Sequence, residues 1–85
     1  MVKKHEKLLR KILGGRADAS VDFSDLGKLL EHLGFEYRIR GSHHVYIFPA
    51  TKDMLNLQSD GRHAKPYQVR QVRDLIVRLG LGGEE

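Results

Sequence analysis

Phe35-Glu36-Tyr37-Arg38-Ile39-Arg40-Gly41-Ser42-His43-His44-Val45-Tyr46-Ile47-Phe48-Pro49 is the stretch that decides the fold. Phe35, Tyr37 and Ile39 alternate with Glu36, Arg38 and Arg40, the two-residue period of a half-buried strand. Gly41-Ser42 is just long enough for a tight hairpin turn, residues 43–48 supply the return strand, and Pro49 closes it. That return strand opens against the usual rule. Strand positions favour β-branched or aromatic residues that pack, yet a glycine hinge here delivers Ser42, His43 and His44. Local rules broken in this way concentrate at functional sites, and histidine is the side chain best suited to move protons near neutral pH.

Downstream, residues 49–53 read as a second turn and 54–58 as a short third strand. Ser59-Asp60-Gly61 follows as a turn in which Gly61 is free to take positive φ. Pro66 suits the first position of a helix, where its missing N–H costs nothing. Val69, Val72, Ile76 and Leu79 then recur at helical spacing, Leu75 widens the stripe, and Gly80 stops it. Upstream, Leu26, Leu29, Leu30 and Leu33 form the stripe of another helix, begun by Asp22 or Ser24 as cap and ended by Gly34. Gly27 inside that helix lowers its propensity, which points to close packing at that position. Residues 3–13 form a first, basic amphipathic helix carrying Leu8, Leu9, Ile12 and Leu13; Gly14-Gly15 ends it, and a polar loop runs to Ser20. The order is α-α-β-β-β-α. Strands grouped between helices with hairpin-length links predict an α+β domain, a three-stranded antiparallel sheet with helices on one face and the other face open.

Eighty-five residues make one small domain with a modest core, read as an N-terminal basic helix and loop (residues 1–20) followed by the main domain (21–85). The absence of cysteine excludes disulfides and thiolate metal sites and suits a reducing cytoplasm. Neither a signal peptide nor a membrane-crossing run is expected. The net charge of +4 comes from 15 Lys+Arg against 11 Asp+Glu, and it is segregated. Lys3, Lys4, Lys7, Arg10, Lys11 and Arg16 face only Glu6, residues 17–37 are acidic, and basic residues lead again from Arg38. Segregated positive charge favours polyanions such as nucleic acid, although a solvated basic surface produces the same composition.

Neighbouring strand residues point to opposite faces, so His43 and His44 cannot jointly hold one metal or act on one atom. Without cysteine or an HExxH helix, no metal or other cofactor is expected. One histidine should act alone, and His43, directly after Gly41-Ser42 and beside Arg38 and Arg40, is the candidate. A lone imidazole among cations suits RNA cleavage: the ribose 2′-OH is an internal nucleophile, and the protein need only move a proton and stabilise charge on phosphorus. The residues alone leave a plainer alternative open, in which both histidines are half-exposed strand residues pairing with neighbours. A second basic cluster, Arg62-His63-Ala64-Lys65-Pro66, opens the last helix, with Arg70 and Arg73 on its next turns, and fits either a phosphate site or a solvated face. Tyr37 and Tyr46 either stack on unpaired bases or belong to the core. His5 and His32 have no evident role, and Ser42 suits a positioning hydrogen bond better than nucleophilic attack.

Together these pieces resemble the HicA family of toxins, small mRNA interferases with a double-stranded-RNA-binding-like fold. The resemblance runs from about residue 24 to residue 81. It rests on the Leu-x-x-x-Gly-Phe ending of the second helix (Leu30 to Phe35), the Gly41-Ser42-His43-His44 turn, Lys65-Pro66, and the order of elements. It implies a metal-independent endoribonuclease with His43 as catalytic residue and Gly41 and Ser42 shaping the site. It also implies ribosome-independent cleavage of mRNA and neutralisation by a HicB-type antitoxin. On this reading Arg38, Arg40, Lys65 and Arg70 grip the RNA, with His44 and Tyr46 beside it. Two features depart from the family pattern: residues 1–20 precede the usual core, and Tyr67-Gln68 stands where many members carry a Gly-Thr pair. Two other function classes stay open, a non-catalytic RNA-binding module and a subunit whose first helix docks on another protein.

Overall fold

In a computed structural model, which describes residues 3–82, the chain runs through α1 (Lys3–Gly14), a 3-10 turn (Asp18–Ser20), α2 (Phe23–His32), β1 (Glu36–Arg40), β2 (His43–Phe48), β3 (Asp53–Leu57), β4 (Ser59–Asp60), β5 (His63–Ala64) and α3 (Pro66–Leu79). It is a small α+β domain with a three-stranded antiparallel sheet in the order β1-β2-β3. Asp22, not Ser24, caps α2: its Oδ1 accepts the Asp25 backbone N–H at 3.0 Å. At the other end Gly34 takes φ +106°. Its N–H donates to the Glu31 carbonyl and that of Phe35 to the Leu30 carbonyl, each at 3.0 Å. This double closure turns the chain directly into β1.

Register fixes the two faces of the sheet. Tyr37 lies opposite Tyr46, which lies opposite Leu55; Ile39 opposite His44, opposite Leu57. These rows face the helices: Tyr46, Leu55 and Leu57 join Leu26, Leu29, Leu30, Val69, Val72 and Ile76 in one core. Arg38–Val45–Asn56 and Glu36–Ile47–Met54 make the outer rows, and Arg40 pairs with His43.

Three local expectations change. The third strand is Asp53–Leu57, one residue earlier than the alternation suggested, because Lys52 takes φ 66° and its N–H donates to the Phe48 carbonyl at 2.8 Å, so pairing starts at Asp53. The stretch after Gln58 is a small hairpin rather than a bare turn, with Ser59 opposite Ala64 and Asp60 opposite His63 around Gly61 at φ +66°. That hairpin is tied to the start of α2 by the Phe23 N–H to the Arg62 carbonyl and the Ala64 N–H to the Val21 carbonyl, both at 2.9 Å. Finally, the loop after α1 holds the 3-10 turn, and Arg73 reaches it from α3. The guanidinium donates to both Asp18 carboxylate oxygens, at 2.9 and 3.3 Å, and to the Ile12 carbonyl at 3.1 Å. This bidentate clamp holds the Arg73 guanidinium more firmly protonated than usual. It also locks α1, whose Ile12 is fully buried, into the same core as the sheet.

Candidate functional site

The outer face begins at the Gly41-Ser42 turn. Gly41 has φ +60° with open space around it, while Ser42 stays outside the left-handed region, so glycine occupies the first central position of a two-residue hairpin turn. The turn sets Arg40 and His43 opposite each other as the first pair of the ladder. Gln58 donates from Nε2 to Ser42 Oγ at 3.4 Å, and the Gln58 N–H donates to Gln68 Oε1 at 3.2 Å. Ser42 Oγ is thus one end of a chain of hydrogen bonds that links the turn to the first turns of α3.

His43 is exposed, with Nδ1 3.0 Å from Asn56 Oδ1. A carboxamide oxygen only accepts, so Nδ1 is the donor and carries the proton of the neutral ring. Nε2 is left with a free lone pair, the form a general base requires. Asn56 is the residue that sequence reasoning missed. Its signal was present: Leu55 and Leu57 point inward, so Asn56 between them must point out, and two-strand register brings it beside the start of β2.

Arg38 and Arg40 share this face with His43. Both are exposed, and neither forms an ion pair among the described residues. Val45, flanked by them on the open face, is only 7% exposed, as expected when aliphatic arginine stems lie along apolar surface. Arg38, Arg40, Val45, Ile47, Met54 and Asn56 line a shallow hollow of ≈ 360 Å³.

His44 and Tyr46 lie on the opposite face, so they and His43 do not form one site. Tyr46 is a core residue, 4% exposed, because its register position faces the helices. His44 is half-buried; its Nδ1 is 2.8 Å from the Tyr37 hydroxyl, and its ring meets Phe23 edge-on at 4.9 Å. Tyr37 stacks on Tyr46 with centroids 4.9 Å apart. Burial, then the neighbouring Tyr37 and Glu31, push the Tyr46 hydroxyl up to about 12, so it stays protonated at neutral pH. Gly27 explains itself here: a Cβ at that position would collide with the Tyr46 hydroxyl.

The second basic cluster is only partly free. Lys65 is the N-cap residue of α3, half-buried and without a side-chain cap bond; Arg70 is exposed on that helix. Arg62 approaches Asp22 at 3.9 Å, and Arg73 points inward to Asp18, so Arg73 does not belong to any phosphate-binding face. His5 and His32, given no partner from the sequence, stack on each other across α1 and α2 with centroids 4.6 Å apart. Among the described residues no three histidine, aspartate or glutamate side chains gather to hold a metal ion, and no helix is long and apolar enough to cross a membrane. No family model, no curated protein and no solved structure matches the chain.

Proposed function

We propose that this protein is an endoribonuclease of the HicA toxin type, on a double-stranded-RNA-binding-like fold, that cleaves mRNA with His43 as its general base. The observation that carries this reading is the His43–Asn56 contact of 3.0 Å on an exposed sheet face, beside two arginines that have no carboxylate partner among the described residues. The imidazole Nε2 takes the proton of a ribose 2′-OH, whose oxygen attacks the adjacent phosphorus. The bond from phosphorus to the 5′-oxygen breaks, and that oxygen takes a proton from solvent on this open face. Arg38 and Arg40 hold the phosphate and offset the charge that builds on its non-bridging oxygens. The products are a 2′,3′-cyclic phosphate and a 5′-hydroxyl, with every proton accounted for by imidazole and water. A HicB-type antitoxin would silence the protein by covering this face.

The test is purified protein with single-stranded RNA and excess chelator, followed by end-group analysis. New ends carrying 2′,3′-cyclic phosphate are expected. Intact RNA after prolonged incubation, with affinity for RNA retained, would instead make this a non-catalytic binding module.

A further inference from the structure

On the far side of the sheet from His43, α2 and the edge strand β1 enclose a second cavity, a cleft of ≈ 250 Å³. Its walls are Phe23, Gly27, Tyr37 and Tyr46, and its polar groups are Ser24, Lys28, His44 and the carboxylate of Glu31, so that Lys28 and Glu31 together leave the cleft's charge balanced until an anion is drawn to the lysine side. That volume falls below the roughly 300–1,000 Å³ of clefts that take drug-sized ligands, and the walls are mostly rings. Tyr37, 38% exposed, stacks on Tyr46 and lies nearly parallel to His44 with centroids 5.8 Å apart, so a further ring would have to stack on the part of it that these two leave uncovered. The Tyr46 hydroxyl is buried and protonated, yet no hydrogen bond to it occurs among the described residues. A buried hydroxyl left unpaired is costly and rare. It sits under Gly27, the one residue type whose missing side chain leaves it room. Lys28, exposed and without an ion pair among the described residues, supplies positive charge on the same cleft.

We infer that this cleft receives one unpaired nucleobase, stacked on Tyr37 and hydrogen-bonded by the Tyr46 hydroxyl, with the nucleotide's phosphate on Lys28. The placement of that base within a substrate rests on the RNA-cleaving reading above; the pocket itself does not. Flat heteroaromatic rings stack on aromatic side chains, and bases carry both acceptors and donors on their edges for a lone hydroxyl to meet. Because β1 is the sheet edge, with Arg38 and Arg40 on its outer side and Tyr37 on its inner side, a single strand crossing that edge sets phosphates against the arginines while one base turns under α2. The cleft would thus hold the RNA in place relative to His43.

The test uses the full chain and free nucleoside 5′-monophosphates, with inorganic phosphate as control, read by amide chemical shifts. Nucleotides should move Ser24, Gly27, Lys28 and His44 together, and inorganic phosphate should not reproduce the pattern. Tyr46→Phe should bind about fivefold more weakly, the loss of one hydrogen bond, without a lower unfolding midpoint, since no internal bond is lost. Lys28→Gln should weaken nucleotide binding and leave folding unchanged. Shifts confined to Arg38, Arg40 and His43, no shifts at all, identical shifts with inorganic phosphate, or parental affinity in Tyr46→Phe would each overturn the pocket. Failure of the nuclease reading looks different: RNA left uncut, while mononucleotides still move the cleft residues.

Discussion

At His43 the decisive neighbour is a carboxamide. Asn56 Oδ1 can only accept, so it selects the tautomer in which Nε2 is basic and fixes the plane of the ring. Asn56→Ala should therefore lower the cleavage rate by less than the about 10²–10⁴-fold attached to general-base help itself, and should shift the imidazole ¹⁵N resonances toward an even mixture of tautomers. Asn56→Asp keeps the acceptor and should restore both. An unchanged rate in Asn56→Ala would show that the contact is decorative. The candidate residues of this face were legible because alternation is a strict rule: Arg38, Arg40 and His43 fall on one side whatever the packing. Tyr46 was not, since the same alternation holds for either choice of buried side. Only the register against Leu55 and the position of α2 put that ring in the core.

Among the elements, the β1–β2 hairpin carries the candidate site, and its geometry depends on Gly41. Space around Gly41 is open, so Gly41→Ala meets no clash and pays only for φ +60°. A non-glycine residue there costs on the order of 1–3 kcal/mol, which chemical denaturation should register as a lower midpoint. A midpoint equal to the parent's would mean that the turn relaxes into another type, and the Arg40–His43 pairing with it. The helices were legible from their leucine and valine spacing and from Asp22, Gly34, Pro66 and Gly80 as punctuation. The β4–β5 hairpin was not. Two-residue strands have no periodicity to read, and this one is held by backbone bonds to Val21 and Phe23, residues some forty positions earlier. The inward role of Arg73, read from the sequence as part of a basic cluster, was hidden for a similar reason: its partner Asp18 is distant in sequence, and a basic residue on a basic helix gives no sign that it points inward.

For the whole molecule, the core joins all three helices to the sheet, so the first helix is part of the fold's stability. Ile12 is fully buried, and Ile12→Ala should cost about 2–5 kcal/mol, a large share of what an 85-residue domain has to lose; a change within error would show that residues 3–14 merely rest on the surface. Acid should act through carboxylates tied in the folded state. The Arg78 guanidinium, with the Thr51 hydroxyl, holds Asp53 below its usual 3.8, and the Asp25 backbone N–H does the same for Asp22. A lowered folded value adds stability that is fully present above the unfolded value and is lost as pH falls through the folded one. Thermal midpoints should thus decline once pH drops below about 4, and Asp53→Asn should flatten that decline; a variant as acid-sensitive as the parent would remove Asp53 from the account. Above these sits the claim that one imidazole on the open sheet face breaks RNA. The most direct measurement compares the single-turnover cleavage rate of single-stranded RNA by the parent and by His43→Ala, with chelator present and equal RNA binding verified. The account predicts a loss of about 10²–10⁴-fold with affinity nearly unchanged; an alanine variant that cuts as fast as its parent would contradict it.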